Sequence, residues 1–128
     1  DVLVDDLELG VIVEDDPDIR SNLQEFFEGE GYPVLLADHG QAALDLLGRR
    51  STPRPGLILL DLMMPVMDGS TFLSKLPLRH PEISAQTPIF IITAGGASHG
   101  LTIKTTGFLK KPLDLDELSD LATRYCDH

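Results

Sequence analysis

The sequence predicts an α/β domain built on a doubly wound parallel sheet, and three observations carry that prediction. Short apolar runs alternate with amphipathic helical patterns along the whole chain. The runs show little polar alternation, as strands covered on both faces require. Their carboxyl ends gather acids, a hydroxyl and an ammonium group, where ligands of such sheets bind.

The predicted strands are GVIVE (10–14), PVLLA (33–37), GLILL (56–60), PIFIIT (88–93) and GFLK (107–110). The first helix follows from Ile19, Leu23, Phe26 and Phe27, spaced at i, i+4, i+7 and i+8, with Asp16 as N-cap and Pro17 as first helical residue. Ala42, Ala43, Leu46 and Leu47 repeat the pattern after Asp38. A third helix starts near Ser70, and Pro77 is expected to break or kink it after about two turns. GGASHGLTIKTTG (95–107) has four glycines and several β-branched residues, so the fourth helix is expected to be short or irregular and mobile. Leu115, Leu118, Leu121, Ala122 and Tyr125 form the last helix after Asp114, with Glu117 completing an acidic capping box. Strand–helix units in this alternation imply right-handed crossovers with helices on both faces.

With 128 residues, 42% of them hydrophobic, the chain suits one globular domain with a real core. The net charge of −11, from 10 basic and 21 acidic residues, makes nucleic acid and anionic membrane poor direct partners and a divalent cation a good one. A lone cysteine, Cys126, excludes an intramolecular disulfide and fits a reducing cytoplasm. No signal peptide and no bilayer-length apolar run is present. A start at Asp1 rather than Met suggests a piece of something longer.

Two stretches, VLVDD (2–6) and VIVEDD (11–16), end an apolar run in acids. Buried carboxylates are costly unless neutralised, usually by a metal. After Asp5 and Asp6 comes LELG and another strand-like run; after Glu14 and Asp15 comes a helix start. The second copy is therefore the site, and residues 1–8 are expected to be a leader or linker. Asp61 follows the third strand, Thr93 ends the fourth, and Lys111 with Pro112 follows the fifth. Hard oxygen donors suit Mg²⁺, a carboxylate can attack phosphorus, and a transferring phosphoryl group needs a metal, a cation and a hydroxyl around its oxygens.

These motifs, VIVEDDPDIR, LILLDLMMPVMDG, PIFIITA and GFLKKP, resemble the receiver domain of two-component response regulators over roughly residues 8 to 126, so that 9–128 is assigned as the receiver. The resemblance implies a flavodoxin-like sheet of five strands in the order 2-1-3-4-5. It makes Asp61 the phosphoacceptor, with Glu14, Asp15, Asp61 and the backbone carbonyl of Met63 holding Mg²⁺, or Mn²⁺ in its place. Thr93 would bind the phosphoryl group and move with it, and Phe108 would change rotamer in step. Lys111 would pair with a phosphoryl oxygen, before a cis bond to Pro112. The implied partners are a sensor histidine kinase or histidine phosphotransfer domain, and a downstream protein or effector domain outside these residues. The chain would catalyse its own phosphotransfer and dephosphorylation in the cytoplasm without being an enzyme in the ordinary sense. The interval from Thr93 to Lys111 is a few residues shorter than is usual for the family, and its GG…HG stretch resembles receivers of hybrid sensor histidine kinases.

Taken singly, these residues have plainer readings. Asp16 is a helix cap, Lys110 solvent-facing, Asp68 a turn residue, and Met63, Met64 and Met67 core fillers. His39, His80, His99 and His128 lack ligand spacing and read as surface residues. The alternative function is a receiver-like interaction module that is never phosphorylated. An aspartate-nucleophile hydrolase would want a second acid two residues after Asp61, where Met63 stands; a flavin site is opposed by the acidic first loop.

Overall fold

Val, Ile and Leu fill the predicted runs, and their side chains fall on alternate faces of each strand, so both faces of the sheet must be covered. A computed structural model describes residues 9–49, 55–62, 67–93 and 106–126. Its strands are β1 (Gly10–Val13), β2 (Val34–Ala37), β3 (Leu57–Asp61), β4 (Ile89–Thr93) and β5 (Gly107–Lys110), and its helices α1 (Pro17–Gly29), α2 (Gly40–Leu47), α3 (Gly69–Arg79), α4 (Pro81–Gln86) and α5 (Leu115–Cys126). All strand pairs are parallel, in the order β2-β1-β3-β4-β5. The expected fold class and strand order are both present. The leader at 1–8 and the fourth crossover helix, with its expected mobility, lie outside the described residues.

Alternation divides the core. Val11, Val13, Ile58, Leu60 and Ile91 pack with Leu44, Leu47, Phe72 and Leu76 of α2 and α3. Ile12, Leu59, Ile92 and Leu109 pack with Leu23 and Phe27 of α1 and with Leu118 and Ala122 of α5. Fully burying each of these Val, Ile, Leu and Phe side chains is worth about 1.5–3 kcal/mol. Because β2 and β3 flank β1 on opposite sides, the chain leaves β1 in one direction and returns on the other, opening a crevice beyond the carboxyl ends of β1 and β3.

Two local expectations are corrected. Of the break or kink expected at Pro77, the break does not occur: α3 runs on to Arg79. Leu73 and Leu76 are buried on the same helix and hold the last turn to the core, and the His80 N–H bonds the Leu76 carbonyl at 2.7 Å. The break falls at His80 (φ −138°, ψ 71°), because Pro81 disfavours helical backbone in the residue before it. Nor are His39 and His80 idle surface residues. His39, rather than Asp38, caps α2, its Nδ1 accepting from the Ala42 N–H at 3.1 Å. His80 is half-buried, with Nε2 3.0 Å from the Leu44 carbonyl.

Candidate functional site

β1 ends in a carboxylate that the fold removes from water. Glu14 is 0% exposed, and its N–H donates to the Ala37 carbonyl at 3.0 Å, which extends the β1–β2 ladder by one residue. Asp15 is half-buried and Asp16 exposed. The Asp16 carboxylate accepts from the N–H groups of Asp18 (2.9 Å) and Ile19 (3.3 Å), so its role is the expected helix cap. Arg20, one turn into α1, donates from Nη1 to the carbonyls of Glu14 (2.9 Å) and Asp15 (3.3 Å).

Across the crevice Asp61 closes β3, 4% exposed. Its backbone is tightly approached from the next helix: a Cβ on Gly69 would stand 2.9 Å from the Asp61 carbonyl oxygen and 2.9 Å from Leu62 Cα. Only a residue without a side chain lets α3 begin there. Asp68 caps α3 through the Thr71 N–H at 2.9 Å, and that bond holds its carboxyl below the usual carboxylate range.

β4 and β5 bring the other groups. The Lys111 N–H donates to the Thr93 carbonyl at 2.8 Å, placing both residues at the carboxyl edge. Lys111 Nζ stands 3.8 Å from Glu14 Oε1 and 3.8 Å from Asp61 Oδ2, one ammonium facing two buried carboxylates. The Lys111–Pro112 peptide is cis, as expected. Phe108 is 41% exposed on β5. Lys110 is exposed, and Met67 is buried in the core. Met63 and its carbonyl lie outside the described residues.

Carboxylate oxygens of Glu14, Asp15 and Asp61 lie within 4.8 Å of one another. Burial, with a hydrogen bond to Asp61 adding to it, pushes the Glu14 carboxyl up to about 8, against the opposing pull of the Asp16 N–H and the Lys111 ammonium. Glu14 Oε1 is buried and meets no hydrogen-bond donor. A buried carboxyl oxygen without a donor is costly, and among the described residues the Lys111 ammonium at 3.8 Å faces a cluster of three acids. Three hard oxygen donors and an orphan acceptor fit a small divalent cation that keeps part of its water shell.

Thus Glu14, Asp15, Asp61, Thr93 and Lys111 converge on one edge as expected. Arg20 and Gly69 were not among the expected site residues; both lie inside the quoted motifs, but their contacts are with backbone atoms that no side-chain pattern reveals. Beside the site, Ile19, Leu23, Phe26, Pro112, Leu113 and Leu118 line an apolar groove of about 330 Å³ to which Lys111 also contributes. A larger cleft, about 640 Å³, borders Thr87, Pro88, Thr106 and Tyr125 at the amino edge of β4 and β5, away from the acids.

Comparison with known proteins agrees with this geometry. The family model described as the response regulator receiver domain matches residues 11–123. The transcriptional regulatory protein CpxR of Escherichia coli K12 is 37% identical over 112 residues, which is 84% of this chain and 44% of that protein, so the chain spans less than half of that relative. Sporulation initiation phosphotransferase F of Bacillus subtilis is 35% identical over 119 residues, 90% of each chain. Among solved structures, Vibrio cholerae chemotaxis protein CheY4 superposes with a TM-score of 0.79 at 25% identity, covering 93% of this chain and 98% of its own. The receiver domain of sensor histidine kinase PA1611 from Pseudomonas aeruginosa PAO1 gives 0.78 at 26%, covering 92% and 96%; that structure holds a magnesium ion in its active-site cleft. Among the described residues no helix is long and apolar enough to cross a membrane.

Proposed function

The chain belongs to the response regulator receiver domain family, and from that premise we propose that it is a phosphoacceptor switch acting through Asp61. The observation that carries the reading is the cluster itself: three carboxylates within 4.8 Å, one with a buried oxygen lacking a donor, and the Lys111 ammonium 3.8 Å from two of them. Receiver domains are signalling switches rather than metabolic enzymes.

In the proposed reaction an Asp61 oxygen attacks the phosphorus of a phosphohistidine on a sensor kinase or phosphotransfer domain. A P–O bond forms as the donor P–N bond breaks, and the imidazole leaves carrying a proton from solvent. Glu14, Asp15 and Asp61, with the Met63 carbonyl, would hold Mg²⁺ or Mn²⁺. When bound, the cation supplies positive charge against the phosphoryl oxygens. Lys111, already between Glu14 and Asp61, swings to a phosphoryl oxygen, and the Thr93 hydroxyl donates to another. Phe108, partly exposed on the adjacent strand, reports the change at the surface. The groove beside Lys111 offers an apolar seat for the donor's helices. A relative of nearly the same length is named a phosphotransferase, which supports relay of the group onward. We place the output in a partner or an effector domain and the exchange in the cytoplasm.

Intact-protein mass after incubation with Mg²⁺ and acetyl phosphate or phosphoramidate tests this. One added phosphoryl group, absent without Mg²⁺ and absent in Asp61→Asn, is expected. No gain from either donor or from a phosphorylated histidine domain would favour a non-phosphorylated interaction module instead.

A further inference from the structure

Helices that begin just after a buried strand leave the carbonyls upstream of the cap outside both the sheet ladder and the helix. Here the Asp16 carboxylate takes the Ile19 N–H that a helical Asp15 carbonyl would otherwise accept. The first regular bond of α1 then runs from the Arg20 N–H to the Asp16 carbonyl at 2.9 Å. The Glu14 and Asp15 carbonyls are met instead by one atom, Arg20 Nη1, at 2.9 and 3.3 Å.

We propose that Arg20 is a positioning residue for the acidic pair, its guanidinium fixing the two peptide planes between Glu14 and Asp16 so that the Asp15 carboxylate is presented to the cation. The inference rests on the reading of this cluster as a divalent-cation site. Glu14 has other anchors, namely full burial and its amide bond to Ala37. Asp15 is half-buried and sits between the two clamped carbonyls, so loss of the clamp falls on it. A guanidinium supplies fixed, directed donors, whereas a lysine ammonium is a mobile point charge. Residues that orient metal ligands without touching the metal set its affinity.

Charge alone makes the opposite prediction. Arg20 is a cation near a cation site, so deleting it should tighten Mg²⁺ binding if only electrostatics acts. Mg²⁺ titrations by calorimetry on the unphosphorylated protein therefore decide, with wild type, Arg20→Ala and Arg20→Lys compared. The positioning role raises the Mg²⁺ dissociation constant of Arg20→Ala about 10-fold, with Arg20→Lys between it and wild type. Phosphoryl uptake from phosphoramidate at saturating Mg²⁺ stays near the wild-type maximum, so the effect is on half-saturation and not on the limiting rate. Unchanged or tighter binding in Arg20→Ala overturns the proposal while leaving the site reading intact. A wild type that binds no Mg²⁺ overturns both. Melting curves in chelator report whether Arg20→Ala is folded; if it is not, Arg20→Lys carries the comparison, and wild-type affinity in that variant overturns the clamp.

Discussion

β1 and β3 are buried along their whole length, whereas β4 is interrupted by half-exposed positions and β5, the last strand of the sheet, buries only Leu109. The two halves carry different chemistry. The buried half ends in Glu14 and Asp61, two carboxyl groups that the fold shields from water. The more exposed half ends in the half-buried Thr93 and Lys111 and displays Phe108. The acids sit where the sheet is most buried, and the groups proposed to answer phosphorylation sit where it is least covered.

Lys111 joins the halves, and removing it gives the largest effect. Lys111→Met is expected to lower phosphoryl uptake from small donors by roughly 10²- to 10³-fold, read from time courses of protein mass, with the fold retained. Unfolding instead would mean that the lysine serves the buried half as a counter-charge. Gly69→Ala comes next. Its Cβ meets the Asp61 and Leu62 backbone at 2.9 Å, which cannot yield as a side-chain tip can. A loss of about 3 kcal/mol in denaturant titration is expected, together with impaired uptake.

A pH test is subtler. The folded pKa of Glu14, about 8, is above its ordinary 4.5, so the folded state binds that proton more tightly. Its contribution to stability is full below pH 4.5 and is lost as pH rises through about 8. In chelator the wild type should lose melting temperature across that window, and Glu14→Gln should lose less and overtake it above pH 8. Parallel curves would mean that the buried carboxylate is balanced by its neighbours. The smallest effect belongs to the exposed half. Gly107→Ala places a Cβ 2.9 Å from the Phe90 ring, which can tilt aside. A cost of about 1 kcal/mol by thermal melt is expected, with uptake unchanged.

Much of this was legible in the sequence because it depends on what side chains are. Apolar runs marked the strands, and acids at their ends marked the site; the helix start at Asp16 and Pro17 chose between the two acidic copies. What escaped depends on backbone atoms. Arg20 acts on carbonyls, Gly69 matters for the atom it lacks, and Pro77 was outweighed by Leu73 and Leu76 in the core. His39 caps α2, a role no acid-based capping rule would give it, because an imidazole nitrogen can accept a hydrogen bond as a carboxylate does.

The Phe90 ring lies across Gly107 and meets Tyr125 of α5 with centroids 5.8 Å apart and planes tilted by 51°. The chain has no Trp and two Tyr, so tyrosine emission is not swallowed by energy transfer to an indole. Tyr32 belongs to the core beside α1, leaving Tyr125 as the fluorophore of the β4–β5 edge. Any sliding of β4 against α5 would alter the aromatic ring current on its protons. This edge of the sheet thus carries its own optical and magnetic reporter, readable without a label.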